Sequence, residues 1–150
     1  MTDTDLLDVS VLVSLAWPNH VHHLAAQRWF RSRGEGPWAT TPSSECGFVR
    51  VSSNRAAVGA AVRPEEAISL LARLRTVKGH AFLPDDIEVV IEDGARKDLV
   101  ERGSMLSYKL VTDAHLLAVA RRHGARLATL DRAVLALAGK QPADVLVIPT

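Results

Sequence analysis

The sequence predicts an α/β fold: a three-layer α/β/α sandwich with a central parallel sheet. Three observations predict it. Five short apolar runs (DLLDV, PWAT, HAFL, RLATL and VLVI) alternate with longer segments whose apolar residues recur at helical spacing. The run RLATL is interrupted only by Thr129, as suits a parallel strand covered on both faces. The stretch TDAHLLAVARRHGARLATLD, residues 112–131, spells out one complete unit of helix, glycine stop, strand and terminal carboxylate. No repeat, linker or low-complexity segment interrupts the chain, so residues 1–150 are expected to form one domain.

In order, residues 5–9 read as a first strand with Asp8 near its end, and 10–15 as helical turns that Pro18 prevents from extending. Asn19 suits the cap of a helix over 20–31, with Val21, Leu24, Ala25 and Trp29 on one face. A second strand covers 37–40. Thr41-Pro42 then starts a helix, Thr as cap and Pro at its first position, which places Glu45 in the first turn. After a looser alanine-rich connection, Pro64 opens a helix with Ile68, Leu71 and Leu74 inward. Gly79 ends it, and a third strand covers 80–83. Pro84-Asp85-Asp86 turns the chain into an amphipathic helix predicted over 87–102, followed by a loop to Tyr108. Thr112 caps the next helix, whose Leu116, Leu117, Val119 and Ala120 form its apolar side. Arg121, Arg122 and His123 complement its dipole, and Gly124 stops it. A fourth strand over 126–130, a short helix over 133–138 and a fifth strand over 145–148 complete the chain.

Composition narrows the functional classes. Hydrophobic content of 47% with 23% charged residues fits a soluble globular protein. No apolar run is long enough to span a bilayer, and the acidic start MTDTDLLD is unlike a secretory signal. Cys46 is the single cysteine, which excludes an internal disulfide and a cysteine-based zinc site. A cytoplasmic location is the expectation. With 18 Lys and Arg against 17 Asp and Glu, bulk charge does not announce a nucleic-acid binder. It leaves room for acids gathered in one site with arginines on its rim.

Taken singly, Glu45, Asp113 and Asp131 each have an ordinary reading as helix-capping or dipole-compensating residues. Asp8 is less ordinary, because it sits inside LLDVSVLV, where a charge is expensive unless paired. Together they point elsewhere. Asp8 and Asp131 end strands, and Glu45 and Asp113 begin helices. In a parallel sheet with right-handed crossovers these positions share one edge. Carboxylates crowded there would repel unless a cation neutralised them. Hard divalent ions favour oxygen ligands, and such a site can activate water and stabilise charge on a phosphate. Ser10 and Thr129 stand near enough in sequence to hold a carboxylate or a water, and both also suit helix capping.

The motifs LLDVSVLV, TPSSECGFVRV and VTDAHLLAVARRHGARLATLD, with the FLPDD turn, resemble the PIN domain across the whole chain, specifically the VapC-type toxins of bacterial toxin–antitoxin pairs. The resemblance puts the family's acidic quartet on Asp8, Glu45, Asp113 and Asp131, and its small hydroxyl positions on Ser10 and Thr129. It implies an endoribonuclease dependent on Mg²⁺, or Mn²⁺, in which Asp8, Glu45 and Asp113 hold the main metal and Asp131 completes the site or holds a second ion. Water activated at the metal would cut the RNA phosphodiester in line, leaving a 5′-phosphate and a 3′-hydroxyl, and so inhibit translation and growth. A homodimer and a VapB-type antitoxin covering the acidic groove are implied as well.

Several other signals receive modest readings. His20, His22 and His23 lack the i, i+4 spacing that favours zinc on a helix and read as a solvated helix start. His115 is assigned to the surface, Cys46 to a buried inert thiol, and Trp17, Trp29 and Trp38 to core or dimer contacts. Arg50, one turn beyond Glu45, is a candidate for meeting a phosphate or pairing with an acid. Three rival functions remain at this point: a PIN nuclease of RNA processing, a phosphorelay receiver domain, and a non-catalytic α/β binding module with structural acids. The receiver reading fits poorly, because Asp5 and Asp8 make a poor acidic pair and no lysine closely follows LATLD.

Overall fold

The computed structural model describes residues 4–59, 61–89 and 110–150. The chain runs β1 (Asp5–Leu7), α1 (Val9–Ala16), α2 (His23–Ser32), β2 (Trp38–Thr40), α3 (Pro42–Ser52), α4 (Arg55–Val58), α5 (Pro64–Leu74), β3 (His80–Phe82), α6 (Val111–Arg122) and β4 (Arg126–Thr129). Two 3₁₀ segments (Arg132–Ala138 and Pro142–Asp144) then lead to β5 (Val145–Val147). The strands form one sheet in the order β3-β2-β1-β4-β5, with every pairing parallel. This is the expected architecture. From central β1 the chain moves outward to β2 and β3, then returns to the other side for β4 and β5. The order therefore reverses between β1 and β4, and open parallel sheets bind ligands in the crevice at such a reversal, beyond the carboxyl ends of the strands.

Alternation along the strands builds the two helical layers. Leu7, Trp38 and Ala128 point to one face, where they pack with Val11, Leu12, Phe48 and Leu71. Leu6, Ala39 and Leu127 point to the other, against Leu116, Leu117, Val119, Ala120 and Val134. Burying each large apolar side chain contributes about 1.5–3 kcal/mol. Strands of three or four residues suffice because both faces are covered. At the amino edge of the sheet, buried Asp5 accepts from Arg33 Nε at 2.6 Å and Arg126 Nε at 2.5 Å.

Several expectations are corrected in detail. The second helix starts at His23, after Asn19 rather than on it, with His22 at the cap position. Its buried residue is Ala26, and Val21 and Leu24 are 85% and 72% exposed. The turn after Pro18 delays the start of α2, and Ala26 is the residue that this phase buries. In α5, Ala67 and Leu71 are buried while Ile68 points outward. Residues 87–89 are not helical, and the rest of the helix predicted over 87–102, with the loop to Tyr108, lies outside the described residues. α6 begins at Val111 with Leu110 at the cap position, so Thr112 sits within its first turn. Gly124 does end this unit, at φ +67°.

Candidate active site

Each element ends where a polar side chain is needed. β1 stops at Leu7, and Asp8 turns the chain into α1, its Oδ1 accepting from Val11 N–H at 2.9 Å and from the Ser10 hydroxyl at 2.7 Å. Thr129 at the end of β4 also bonds Asp8, and its Oγ1 accepts the Asp131 N–H at 3.0 Å. Asp131 in turn caps the following 3₁₀ segment, accepting from Ala133 N–H at 2.9 Å. The capping roles are therefore real for Asp8 and Asp131. A capping carboxylate uses only part of its acceptor capacity.

Asp8, Ser10, Arg50, Thr112, Asp113 and Asp131 line one groove, together with His20 and the apolar Val9, Val13 and Val51. Its volume of about 310 Å³ is roughly ten times a water's share of the liquid, enough for a hydrated ion and a phosphate. Burial pushes the Asp8 carboxyl up; the Thr129 and Ser10 side chains and Val11 N–H pull it down, and the Asp131 charge adds to the rise. Asp113 is pushed up to about 7, first by burial and then by the charges of Asp8 and Asp131. Among the described residues no salt bridge relieves any of these three carboxylates. Crowded carboxylate oxygens of this kind are the donors that hard divalent cations favour.

Glu45 is placed differently. Helix α3 starts as the Thr-Pro signal predicts, with Ser44 Oγ accepting from Thr41 N–H at 3.0 Å, and Glu45 falls in the first turn. Its carboxylate is not among the groove-lining groups. Instead Oε2 accepts from the Thr40 hydroxyl at 2.6 Å, and Oε1 lies 3.4 Å from Arg75 Nη1. Because the Thr40 hydroxyl donates to Glu45, its oxygen accepts from His80 Nε2–H at 2.8 Å. Burial and then the Arg75 charge lower the His80 pKa, consistent with a neutral ring. Among the described residues no three His, Cys, Asp or Glu side chains enclose a point as a complete metal cage. A site for Mg²⁺ needs no such cage, since that ion keeps several waters and takes one or two carboxylates.

Gly47 explains how α1 and α3 approach so closely: a Cβ there would stand 2.4 Å from Val9 Cγ2. Glu45 and Asp8 ride on these two helices. The sequence gives no direct signal for Arg75 or His80, and it reads His20 only as part of a solvated helix start. Among the weaker candidates, Arg50 is exposed on the groove and Ser10 holds Asp8. The three histidines are half-buried rather than solvated: His23 Nδ1 donates to the Ser14 carbonyl at 2.7 Å, and His20 Nδ1 accepts from His22 N–H at 3.0 Å. His115 is not a free surface group, since its Nε2 lies 2.7 Å from Asp85 Oδ1, and Asp85 also accepts from the Ser43 hydroxyl. Cys46, expected buried, is exposed. Trp38 is core, as expected, and Trp17 Nε1 donates to Ser52 Oγ at 2.8 Å.

With this geometry, the PIN-domain family model matches residues 6–140. The chain belongs to the PIN-domain family. Relatives of this PIN domain in Mycobacterium tuberculosis are of the VapC type. It is 45% identical over 143 residues to Ribonuclease VapC39, covering 95% of this chain and 99% of that one. It is 44% identical over 137 residues to Ribonuclease VapC38, covering 91% and 92%. Among solved structures, this PIN domain shares its fold with Mycobacterium tuberculosis VapC20, described as a sarcin–ricin loop cleaving toxin (TM-score 0.64, 19% identity, 97% and 99% covered). It also shares it with FitAcB from Neisseria gonorrhoeae (TM-score 0.57, 21% identity, 97% and 96% covered). No helix among the described residues is long and apolar enough to cross a membrane.

Proposed function

We propose that this PIN domain is a divalent-metal-dependent endoribonuclease, a single catalytic domain that acts in the cytoplasm as the toxin of a VapBC-type pair and inhibits translation and growth. The observation that carries the reading is the groove of three aspartates, Asp8, Asp113 and Asp131, in a chain with end-to-end likeness to proteins named ribonucleases. The rise of Asp113 to about 7 supports a cation there, because crowded carboxylates are expensive without one. Asp8 and Asp113 would hold Mg²⁺ or Mn²⁺, with Asp131 completing the site and Glu45 joining from the neighbouring helix. When bound, such an ion supplies positive charge to phosphate oxygens and lowers the pKa of a water.

The chain's own residues do the rest. Ser10 and Thr129 fix the Asp8 carboxylate by hydrogen bonds, so that its free lone pairs face the groove. Arg50, exposed on the groove, offers a guanidinium to a backbone phosphate. Val9, Val13 and Val51 supply an apolar wall that displaces water and strengthens the electrostatics inside. A homodimer, and a VapB-type antitoxin that covers the groove, complete the reading. The deciding experiment is cleavage of total RNA by purified protein freed of antitoxin, with Mg²⁺, Mn²⁺ or EDTA. Asp8→Asn and Asp113→Asn run beside the parent. Discrete cuts that need metal and vanish in both variants are expected; folded protein that cuts nothing with either metal refutes the reading.

A further inference from the structure

Beside the aspartate groove, on the Glu45 side, stands a pair of residues that neither the fold nor the acidic cluster requires. Phe82 ends β3, the edge strand, and is 46% exposed although aromatic. Leaving so large an apolar ring in water forgoes burial that the core would reward. Over its ring lies the Arg75 guanidinium, 5.3 Å from the centroid. Arg75 follows α5 and touches Glu45 through Nη1 at 3.4 Å, its side chain 40% exposed. Among the described residues that contact is the only hydrogen bond or ion pair of the Arg75 side chain. Most of its five N–H donors are therefore open.

The register fixes where this pair sits relative to the groove. Phe82 is level with Thr40 on β2, whose hydroxyl holds Glu45. Two strand spacings, roughly 10 Å, separate β3 from β1, whose carboxyl end carries Asp8. An extended strand threading past Asp8 would thus bring a neighbouring nucleotide over Phe82. The charges match as well. The acids repel a phosphate backbone, so a strand entering the groove needs cations on both flanks. Arg50 stands in the groove and Arg75 on the Glu45 side.

We infer that Phe82 and Arg75 form a nucleotide subsite beside Glu45, in which Phe82 stacks a base of single-stranded RNA and Arg75 binds the adjoining phosphate. The inference rests on the ribonuclease reading and adds to it a site for a flanking nucleotide. Every base has a π-face, so the ring favours unpaired RNA over a particular letter.

The test measures binding of fluorescein-labelled decauridine and decaadenosine by anisotropy in Mg²⁺. All proteins carry Asp113→Asn, so that RNA is bound without being cut. Phe82→Ala is expected to weaken binding about 5- to 100-fold. Phe82→Trp should restore it, and Phe82→Leu, which keeps an apolar side chain but no ring, should not. Arg75→Gln should lower the slope of log affinity against log salt by about 0.7, the signature of one lost phosphate contact on a single strand. A merely structural role would leave that slope unchanged. Folded Phe82→Ala and Arg75→Gln proteins with the parent's affinity and salt slope would overturn the subsite, leaving the patch to a protein partner. In that case total RNA would still be cut by protein with Asp113 intact, and the ribonuclease reading would stand. A parent that neither binds nor cuts RNA overturns both.

Discussion

Replacing Asp113 with asparagine should make the metal-free protein more stable at alkaline pH. The Asp113 carboxyl titrates near 7 in the folded chain against 3.8 for an ordinary aspartate, through burial and then the charges of Asp8 and Asp131. At 1.36 kcal/mol per pK unit the full effect is about 4 kcal/mol, an upper bound. Asp113 is half-buried, and solvent screening reduces this to about 2 kcal/mol. Its negative charge in the first turn of α6 recovers about 0.5 kcal/mol from the helix dipole. A net gain of about 1–2 kcal/mol therefore remains for Asp113→Asn. The sign follows from proton counting. Between pH 3.8 and 7 the folded state holds the Asp113 proton more tightly than the unfolded chain. This contribution to stability therefore falls as pH rises through that window, and the loss is complete above pH 7. Thermal melts in EDTA should place Asp113→Asn about 3–6 °C above the parent at pH 8, with the difference shrinking towards pH 4. Saturating Mg²⁺ should reverse the order, because ligand at a hundredfold excess over its Kd adds about 2.7 kcal/mol to the parent alone. An Asp113→Asn protein that melts below the parent at pH 8 in EDTA would show that the carboxylate is a structural group, and the crowding argument would fail.

Gly47→Ala should cost about 1–3 kcal/mol, since its Cβ meets a methyl of the stiff, β-branched Val9 at 2.4 Å; urea denaturation checks this, and a neutral result would mean that α1 and α3 separate easily. Asp5→Ala should cost about 3 kcal/mol by removing the buried carboxylate that Arg33 and Arg126 share, yet leave RNA cutting by the folded protein unchanged, because it lies at the opposite edge of the sheet from the groove. Thr40→Val should cost about 1–2 kcal/mol by leaving His80 and Glu45 without their shared hydroxyl, and cleavage should fall by more than the loss of folded protein explains; cutting at the parent rate would separate Glu45 placement from activity.

The sequence carried the order of strands and helices, because that information is local. Short apolar runs between Gly, Pro and Asx punctuation have few alternatives, and the central stretch ending at Asp131 matched α6 and β4 to within a residue or two. Helix phase was less legible. Val21, Leu24 and Ile68 are large apolar residues yet face outward, while Ala26 and Ala67 face in. Periodicity announces an apolar stripe; only the neighbouring helix decides whether bulk or closeness is accommodated there.

The same division runs through the site. By itself the sequence determined that acids would stand at strand ends and helix starts along one sheet edge, because right-handed parallel crossovers leave no other place for them. Tertiary structure decided which of them meet. Asp8, Asp113 and Asp131 share a groove, while Glu45 turns to Thr40 and Arg75. Arg75 lies thirty residues from Glu45, and Asp5 meets Arg126 across 121. No local pattern encodes such pairings, since side-chain reach and burial settle them only once the layers have packed.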